Sequence, residues 1–327
     1  MKRLKAEWER QEHIQIVFPH KDSDWICCLD EIRESYRLII ETIAKYEPCL
    51  VICDDIEETK RYFNSFENLF FVQLKTNDTW IRDFGAIEIE EEGIIKSLDF
   101  GFNGWGLKFA SNYDNVVTRE LFGKNIFNTP LKTVDFVLEG GSIDSNSEGV
   151  LMTTSKCLTE KNRNPAFTKN EIERKLIEFF DLKKVLFLEH GYLKGDDTDS
   201  HIDTLARFID KNTIAYIKCE DENDEHFKEL SLMEKELQKS GFELVALPFV
   251  KPLFYENERL PATYANFLFI NNAVLVPTYS DKNDEKVLKI FEKFFPDRDI
   301  IGIDSTVLIR EHGSIHCATM QSFKKIC

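Results

Sequence analysis

The chain has 327 residues, 43% of them hydrophobic with 27 Phe, which is enough apolar mass for a large core and too much for a disordered chain. A formal net charge of −16 argues against nucleic acid and anionic membrane surfaces as partners and is compatible with a cationic substrate. The start at 1–12 is basic, then polar, with no secretory apolar stretch; no run is long enough to span a bilayer, and the eight Cys form no CxxC pair or zinc-ribbon spacing. These features predict a cytoplasmic protein with reduced thiols.

In chain order the hydrophobic pattern repeats one supersecondary unit: helix, short apolar strand, loop, β-hairpin. A helix over 29–46 leads to a buried strand at 49–53, a second short strand at 69–74 and hairpin arms at 85–89 and 93–100. A helix over 114–122 leads to 133–138 and to arms at 142–144 and 150–154. A helix over 169–180, opened by a Thr168/Glu171 capping box, leads to 184–188 and to arms at 204–209 and 213–218. A helix over 224–239, followed by Gly241, leads to 242–247 and to arms at 264–270 and 273–278. The last helix, 284–294, leads to 299–303 and a strand at 314–320. Asn271-Asn272 and Lys211-Asn212 suit hairpin turns that need positive φ. Four units are complete, and the apolar run at 13–18 is able to supply the strand missing from a fifth, which would leave no free sheet edge. At roughly 65 residues per unit, the expected architecture is one α/β domain over 1–327, a ring of five units with the N-terminal strand closing it. A doubly wound α/β sheet is the alternative, and the hairpins disfavour it.

The unusual polar residues recur just before the hairpins. Trp80-Ile81-Arg82-Asp83 precedes the first, Glu139-Gly140-Gly141 the second and Asp196-Asp197-Thr198-Asp199-Ser200-His201-Ile202-Asp203 the third. His316-Cys317 lies in the last unit. In a ring, equivalent loops converge, so Asp83, Glu139, His201, Asp203 and Cys317 would face one pocket. Four carboxylates within eight residues repel one another unless they are solvated, hold a metal or hold an organic cation. His201 and Asp203, at i and i+2 on the start of a strand, would share a face, either as metal ligands or as an ordinary strand-start pair. Cys317 is a candidate nucleophile, against the alternative of a packed core thiol. On a strand its neighbour His316 would point the other way, which leaves His201 as the candidate base. Trp80 suits a pocket for a cationic or alkyl chain. Glu139 is balanced between a pocket role and a structural ion pair.

Six ordered motifs between about Trp80 and Gln321 carry a resemblance. Trp80-Ile81-Arg82-Asp83-Phe84-Gly85, Leu138-Glu139-Gly140-Gly141-Ser142, Asn162-Arg163-Asn164-Pro165, Thr198-Asp199-Ser200-His201-Ile202-Asp203, Tyr264-Ala265-Asn266-Phe267 and Ile315-His316-Cys317 resemble those of the agmatine deiminases. That group belongs with the bacterial peptidylarginine deiminase-type proteins of the guanidine-modifying superfamily. The resemblance implies a five-fold pseudosymmetric α/β propeller (pentein-like), no metal and no cofactor, a small guanidine substrate and frequent homo-oligomers. It implies Cys317 as nucleophile, His201 as general acid/base and Asp83 and Asp203 as the guanidinium grip, with Trp80, Asp197 and Glu139 in the substrate pocket. The implied reaction is hydrolysis of agmatine to N-carbamoylputrescine and ammonia through a Cys317 thiouronium, a step toward putrescine. Deimination of free or peptidyl arginine and a non-enzymatic binding propeller are the alternatives. The chain departs from the family pattern at Asp197, where Glu is usual, at Ser200, where Gly is usual, and at Glu311-His312-Gly313-Ser314, where three Gly and an Asn are usual.

Overall fold

The computed structural model describes residues 2–327. Five sheets follow one pairing rule, an antiparallel pair whose second strand takes a parallel third. Ile87–Glu91, Ile94–Gly101 and Leu131–Val137 form one of them. Ile143–Ser145, Val150–Thr154 and Lys184–Leu188 form another. Ala206–Phe208 pairs with Thr213–Lys218, and that with Glu243–Pro248. Leu268–Ile270, Ala273–Thr278 and Asp299–Asp304 repeat the rule. The remaining sheet draws on both chain ends: Thr319–Ser322 runs antiparallel to His13–Val17, which continues in parallel to Cys49–Cys53 and Leu69–Gln73.

Each parallel step needs a crossover, and a helix supplies it. Leu29–Ala44, the short Ile56–Lys60, Val117–Gly123, Lys169–Phe180, Phe227–Gln238 and Asp284–Phe294 occupy those positions. Their apolar spacing decides which face is buried. Lys169–Phe180 buries Ile172, Leu176 and Phe180, one residue per turn along a single stripe. Its start is fixed by Glu171, whose carboxylate accepts the Thr168 N–H at 2.8 Å.

Several boundaries differ from the sequence reading in ways that matter for the site. His201-Ile202-Asp203 does not begin a strand. His201 precedes a 3-10 turn at Ile202–Thr204, which the Thr204 hydroxyl closes by donating to the His201 carbonyl at 2.8 Å. The last strand starts at Thr319 rather than 314, so His316 and Cys317 also lie on a turn. Ile81–Phe84 forms a short helix in front of the first hairpin. Asn272 takes φ +63 as expected, whereas neither Lys211 nor Asn212 has positive φ. The strands absent from the pattern are Lys2–Leu4, which adds to the edge of Ile87–Glu91, and the small hairpin Phe254–Tyr255/Glu258–Arg259. Both are too short to show a period.

Candidate active site

The turns that precede the hairpins meet in one place. Arg82 ties the Ile81–Phe84 helix to the 315–318 turn: its backbone N–H donates to the Cys317 carbonyl at 3.2 Å and its Nε to the His316 carbonyl at 3.2 Å. This holds Asp83 beside Cys317. Asp83 Oδ1 accepts the Gly141 N–H at 2.8 Å, and Oδ2 accepts Trp105 Nε1–H at 2.9 Å. Gly141 is the point of convergence. A Cβ there would sit 2.7 Å from His201 Nδ1, 2.9 Å from Asp83 Oδ1 and 3.0 Å from Asp203 Oδ2. Glycine at this position, on a loop of the second unit, is therefore what allows Asp83 of the first unit and His201 and Asp203 of the third to approach each other.

The acidic run divides its carboxylates by partner. Asp196 turns back on its own loop, accepting the Ser200 N–H at 2.6 Å and the Thr198 N–H at 3.2 Å. Asp199 faces cations, Arg163 Nη1 at 2.7 Å and Lys108 Nζ at 2.7 Å. Asp197 lines the cleft, where burial pushes its carboxyl up to about 6, with His312 opposing and Asp196 adding to the rise. Asp203 is fully buried. Its Oδ2 lies 2.7 Å from His316 Nδ1 and 3.6 Å from Cys317 Sγ, and its Oδ1 has no partner. Burial alone would raise its carboxyl, but His316 holds it below the ordinary value.

His201 is fully buried, with Nε2 3.2 Å from Glu139 Oε2 and Nδ1 3.6 Å from Asp83 Oδ1. Burial disfavours its cation, yet the Asp83 charge, Cys157 and Glu139 outweigh that and hold the ring well above the ordinary histidine range. Glu139 does not reach the cleft surface. It is fully buried, and Arg163 Nε lies 2.9 and 2.7 Å from its two oxygens. The pocket-lining expectation for Glu139 is thus replaced by a place behind His201, because Arg163 and His201 use its acceptors.

Cys317 is held through Asn266. Asn266 Nδ2 lies 3.1 Å from Sγ, and its Oδ1 accepts the N–H groups of His316 and Cys317 at 3.0 and 3.2 Å. Burial, then the Asp203 and Asp83 charges, push the thiol well above its ordinary value, so the resting group is a thiol. The His316 ring points away from Sγ, to Asp203 and to Glu7 Oε2 at 2.7 Å. A Cβ at Gly313 would fall 2.4 Å from the Trp80 ring, so this glycine lets Trp80 lie on the cleft wall. Trp105, Phe109 and Thr204 complete the wall with Cys317, and Asp24, Asp78, Asp197 and Glu311 add carboxyl groups to it; the cavity they enclose is about 110 Å³.

The profile of the Porphyromonas-type peptidyl-arginine deiminases matches residues 3–322. The chain belongs to that family. Among solved structures of similar proteins, a substrate-bound cysteine-to-serine variant of C. jejuni agmatine deiminase has 50% identity and a TM-score of 0.97, with 100% of this chain and 98% of that one covered. The agmatine deiminase of Enterococcus faecalis has 27% identity and a TM-score of 0.92, covering 99% and 96%. An agmatine deiminase of Pseudomonas aeruginosa is 29% identical over 350 residues, 98% of this chain and 95% of that protein. The mixed α/β fold is common to the family and to this chain.

Three residues of this site carry no role in the sequence reading. Trp105 sits in a left-handed turn, Gly104 to Leu107 at φ +66, +52, +82 and +66, and its only signal is a tryptophan between two glycines. Arg163 and Asn266 stand in quoted motifs, but an Arg or Asn in a loop gives no hint of its partner. The acidic run does not gather on one point as a metal site would. The group among the described residues with ligand-like proximity is Glu139, Cys157 and His201, whose donor atoms lie within 4.8 Å of one another. The Arg163 guanidinium already neutralises Glu139 there, and a second cation would be repelled.

Proposed function

We propose that this chain hydrolyses agmatine to N-carbamoylputrescine and ammonia. The observation that carries the reading is the convergence of Asp83, His201 and Asp203 on Gly141, with Cys317 against Asp203 and on the cleft wall. A guanidinium is planar and always charged, and carboxylates bind it through charge-assisted forked bonds. The unpartnered Asp203 Oδ1 and the remaining lone pairs of Asp83 suit that role. The bound cation would also screen the two carboxylates that keep Cys317 protonated, and so favour the thiolate next to the guanidinium carbon.

In the proposed course the thiolate adds to that carbon. The cationic His201 then gives its proton to the departing ammonia, which leaves a thiouronium on Cys317. The neutral His201 takes a proton from water, which attacks the same carbon, and the ureido product separates from sulfur. Positioned acid–base help of this kind contributes roughly 10²–10⁴ in rate. Asp197 and the carboxylates of Asp24 and Glu311 on the same wall favour a substrate whose far end is an amine over one that ends in a carboxylate. This supports agmatine over free arginine.

We infer further that the five sheets form a five-fold pseudosymmetric α/β propeller in a single domain. The shared pairing rule and the sheet built from both chain ends support this. Eight unpaired cysteines support a reducing, cytoplasmic location, and among the described residues no helix is long and apolar enough to cross a membrane. Incubation with agmatine, free arginine and an arginine-containing peptide, with assay of ureido product and ammonia, tests the function. Turnover of agmatine with the highest kcat/KM is expected. A folded protein that releases no ureido product from agmatine sinks the proposal.

A further inference from the structure

Beneath the cleft lies a second set of buried charges that the proposed reaction does not use. Glu7, in the N-terminal segment, is 6% exposed, and its Oε1 accepts the Phe269 N–H at 2.8 Å. Its Oε2 lies 2.7 Å from His316 Nε2, 2.8 Å from Arg207 Nη2 and 3.7 Å from Arg82 Nη2. On the other side of the same ring, His316 Nδ1 lies 2.7 Å from Asp203 Oδ2. Arg207 also reaches Asp144 Oδ1 at 3.2 Å. Glu7, Asp203, Arg82, Arg207 and Asp144 are thus the charged groups that surround His316. Glu7, Arg82, Asp144 and His316 also border a small cavity that Cys317 does not line.

An ionised carboxylate oxygen only accepts, so with both carboxyls ionised an imidazole clasped by them at both nitrogens donates from both and is cationic. The geometry points to a Glu7–His316–Asp203 chain in which Glu7 holds His316 as an imidazolium, and the imidazolium fixes Asp203 in position and ionised, toward the guanidinium. Glu7 and His316 are positioning residues in this scheme, and the N-terminal segment becomes part of the active centre although Glu7 and Asp203 lie 196 positions apart in the sequence. The inference rests on the deiminase reading for its consequence in catalysis, but not for the charge on the ring.

The two carboxylates on the ring are each held below their ordinary range. Burial works against ionisation of Glu7, but Arg207, His316 and Arg82 outweigh it and hold its carboxyl far below the ordinary range. In Asp203 the His316 bond and charge likewise overcome burial. Loss of the Glu7 charge would let His316 become neutral and donate to Asp203 alone. Asp203 would then bind a proton more readily. Its grip on a cation, present above its folded pKa, would be lost at a higher pH than in the wild type.

The test uses the full-length protein labelled with ¹⁵N-histidine, in the wild type, Glu7→Gln and His316→Gln, with folding checked by thermal melting. The wild type should show a ring, absent from His316→Gln, with both nitrogens protonated at pH 8, and Glu7→Gln should show that ring as a neutral tautomer. In agmatine turnover, compared in an Asp197→Asn background so that the Asp197 limb near pH 6 does not hide Asp203, both variants should move the remaining acid limb of kcat/KM upward by at least about one pH unit, a tenfold loss on that limb, and recover toward that background at higher pH. A variant that only weakened the fold would lower activity at every pH and leave the limb in place. Should Glu7→Gln fail to fold, His316→Gln supplies the same profile. A neutral His316 ring in the wild type, or folded variants that keep the acid limb of the Asp197→Asn background, would overturn the inference. If the wild type releases no ureido product from any guanidine, the deiminase reading falls, while the ring signature still decides the charge on His316.

Discussion

The acidic run at 196–203 and the turn at 311–317 are opposite kinds of functional segment. The first is dense with charge and conspicuous, and the second shows little beyond one cysteine and two histidines. Yet the run sends only part of its charge to the cleft. Asp196 bonds its own loop and Asp199 bonds Arg163 and Lys108, so Asp197, His201 and Asp203 are left to act. In the turn nearly every residue bears on the site: Glu311, His312, Gly313 and Cys317 border the cleft, and His316 holds Asp203. Charge density therefore did not measure functional content. What decided it was which partner each side chain found once the loops had met, since a buried carboxylate is spent on the nearest donor or cation.

The largest expected effect breaks the comparison on the turn side. Cys317→Ala should lower agmatine turnover by at least about 10⁴-fold while stability to urea changes by no more than about 1 kcal/mol. Retained turnover would move the nucleophile elsewhere. On the side of the run, Arg163→Met leaves buried Glu139 with His201 alone and Asp199 without one of its two partners. A loss of about 3–5 kcal/mol is expected in urea unfolding, and a variant as stable as wild type would show that the run does not depend on that ion pair.

Asp197 sharpens the contrast within the run. Its carboxyl is pushed up to about 6, so its charge is present above that pH and lost as the pH falls through it. Asp197→Asn should remove an acid limb of kcat/KM near pH 6 and lower agmatine kcat/KM at pH 8 by roughly tenfold or more, the value of a bond to a charged group. An unchanged profile would make Asp197 a bystander on the wall. The smallest effect compares the two segments directly. Ser200 and His312 stand where the family pattern has glycine, and both take positive φ, +69 and +66. A left-handed side chain costs about 1–2 kcal/mol, offset in part by glycine's entropy. Ser200→Gly and His312→Gly should each raise stability by less than about 1 kcal/mol, and only His312→Gly should also raise KM for agmatine, since only His312 lines the cleft.

Much of the fold was legible because it rests on local periodicity. The helices Lys169–Phe180 and Asp284–Phe294 and the strands Cys49–Cys53 and Lys184–Leu188 fall where the pattern placed them. The errors lie where the chain turns. His201 and Cys317 were read onto strands, and both stand on turns, since an apolar residue beside a polar one looks alternating over two or three positions whatever its backbone does. For the site, Asp83, His201, Asp203 and Cys317 were each named from residue chemistry and resemblance. Trp105, Arg163, Asn266 and Glu7 were not assigned roles, because their importance lies in what they touch.

By itself the sequence determined the repeated unit, the residue types able to attack and to hold a guanidinium, and the glycines at 140, 141 and 313. These follow from period, chemistry and the steric needs of single residues. Only the tertiary structure decided that Glu139 backs His201 instead of lining the cleft, that Asp196 and Asp199 hold a loop, and that Glu7 lies against His316. The physical reason is that a partner's identity is a long-range property. Burial makes each polar group find one, and no local pattern says which residue, tens or hundreds of positions away, the fold will bring within 3 Å.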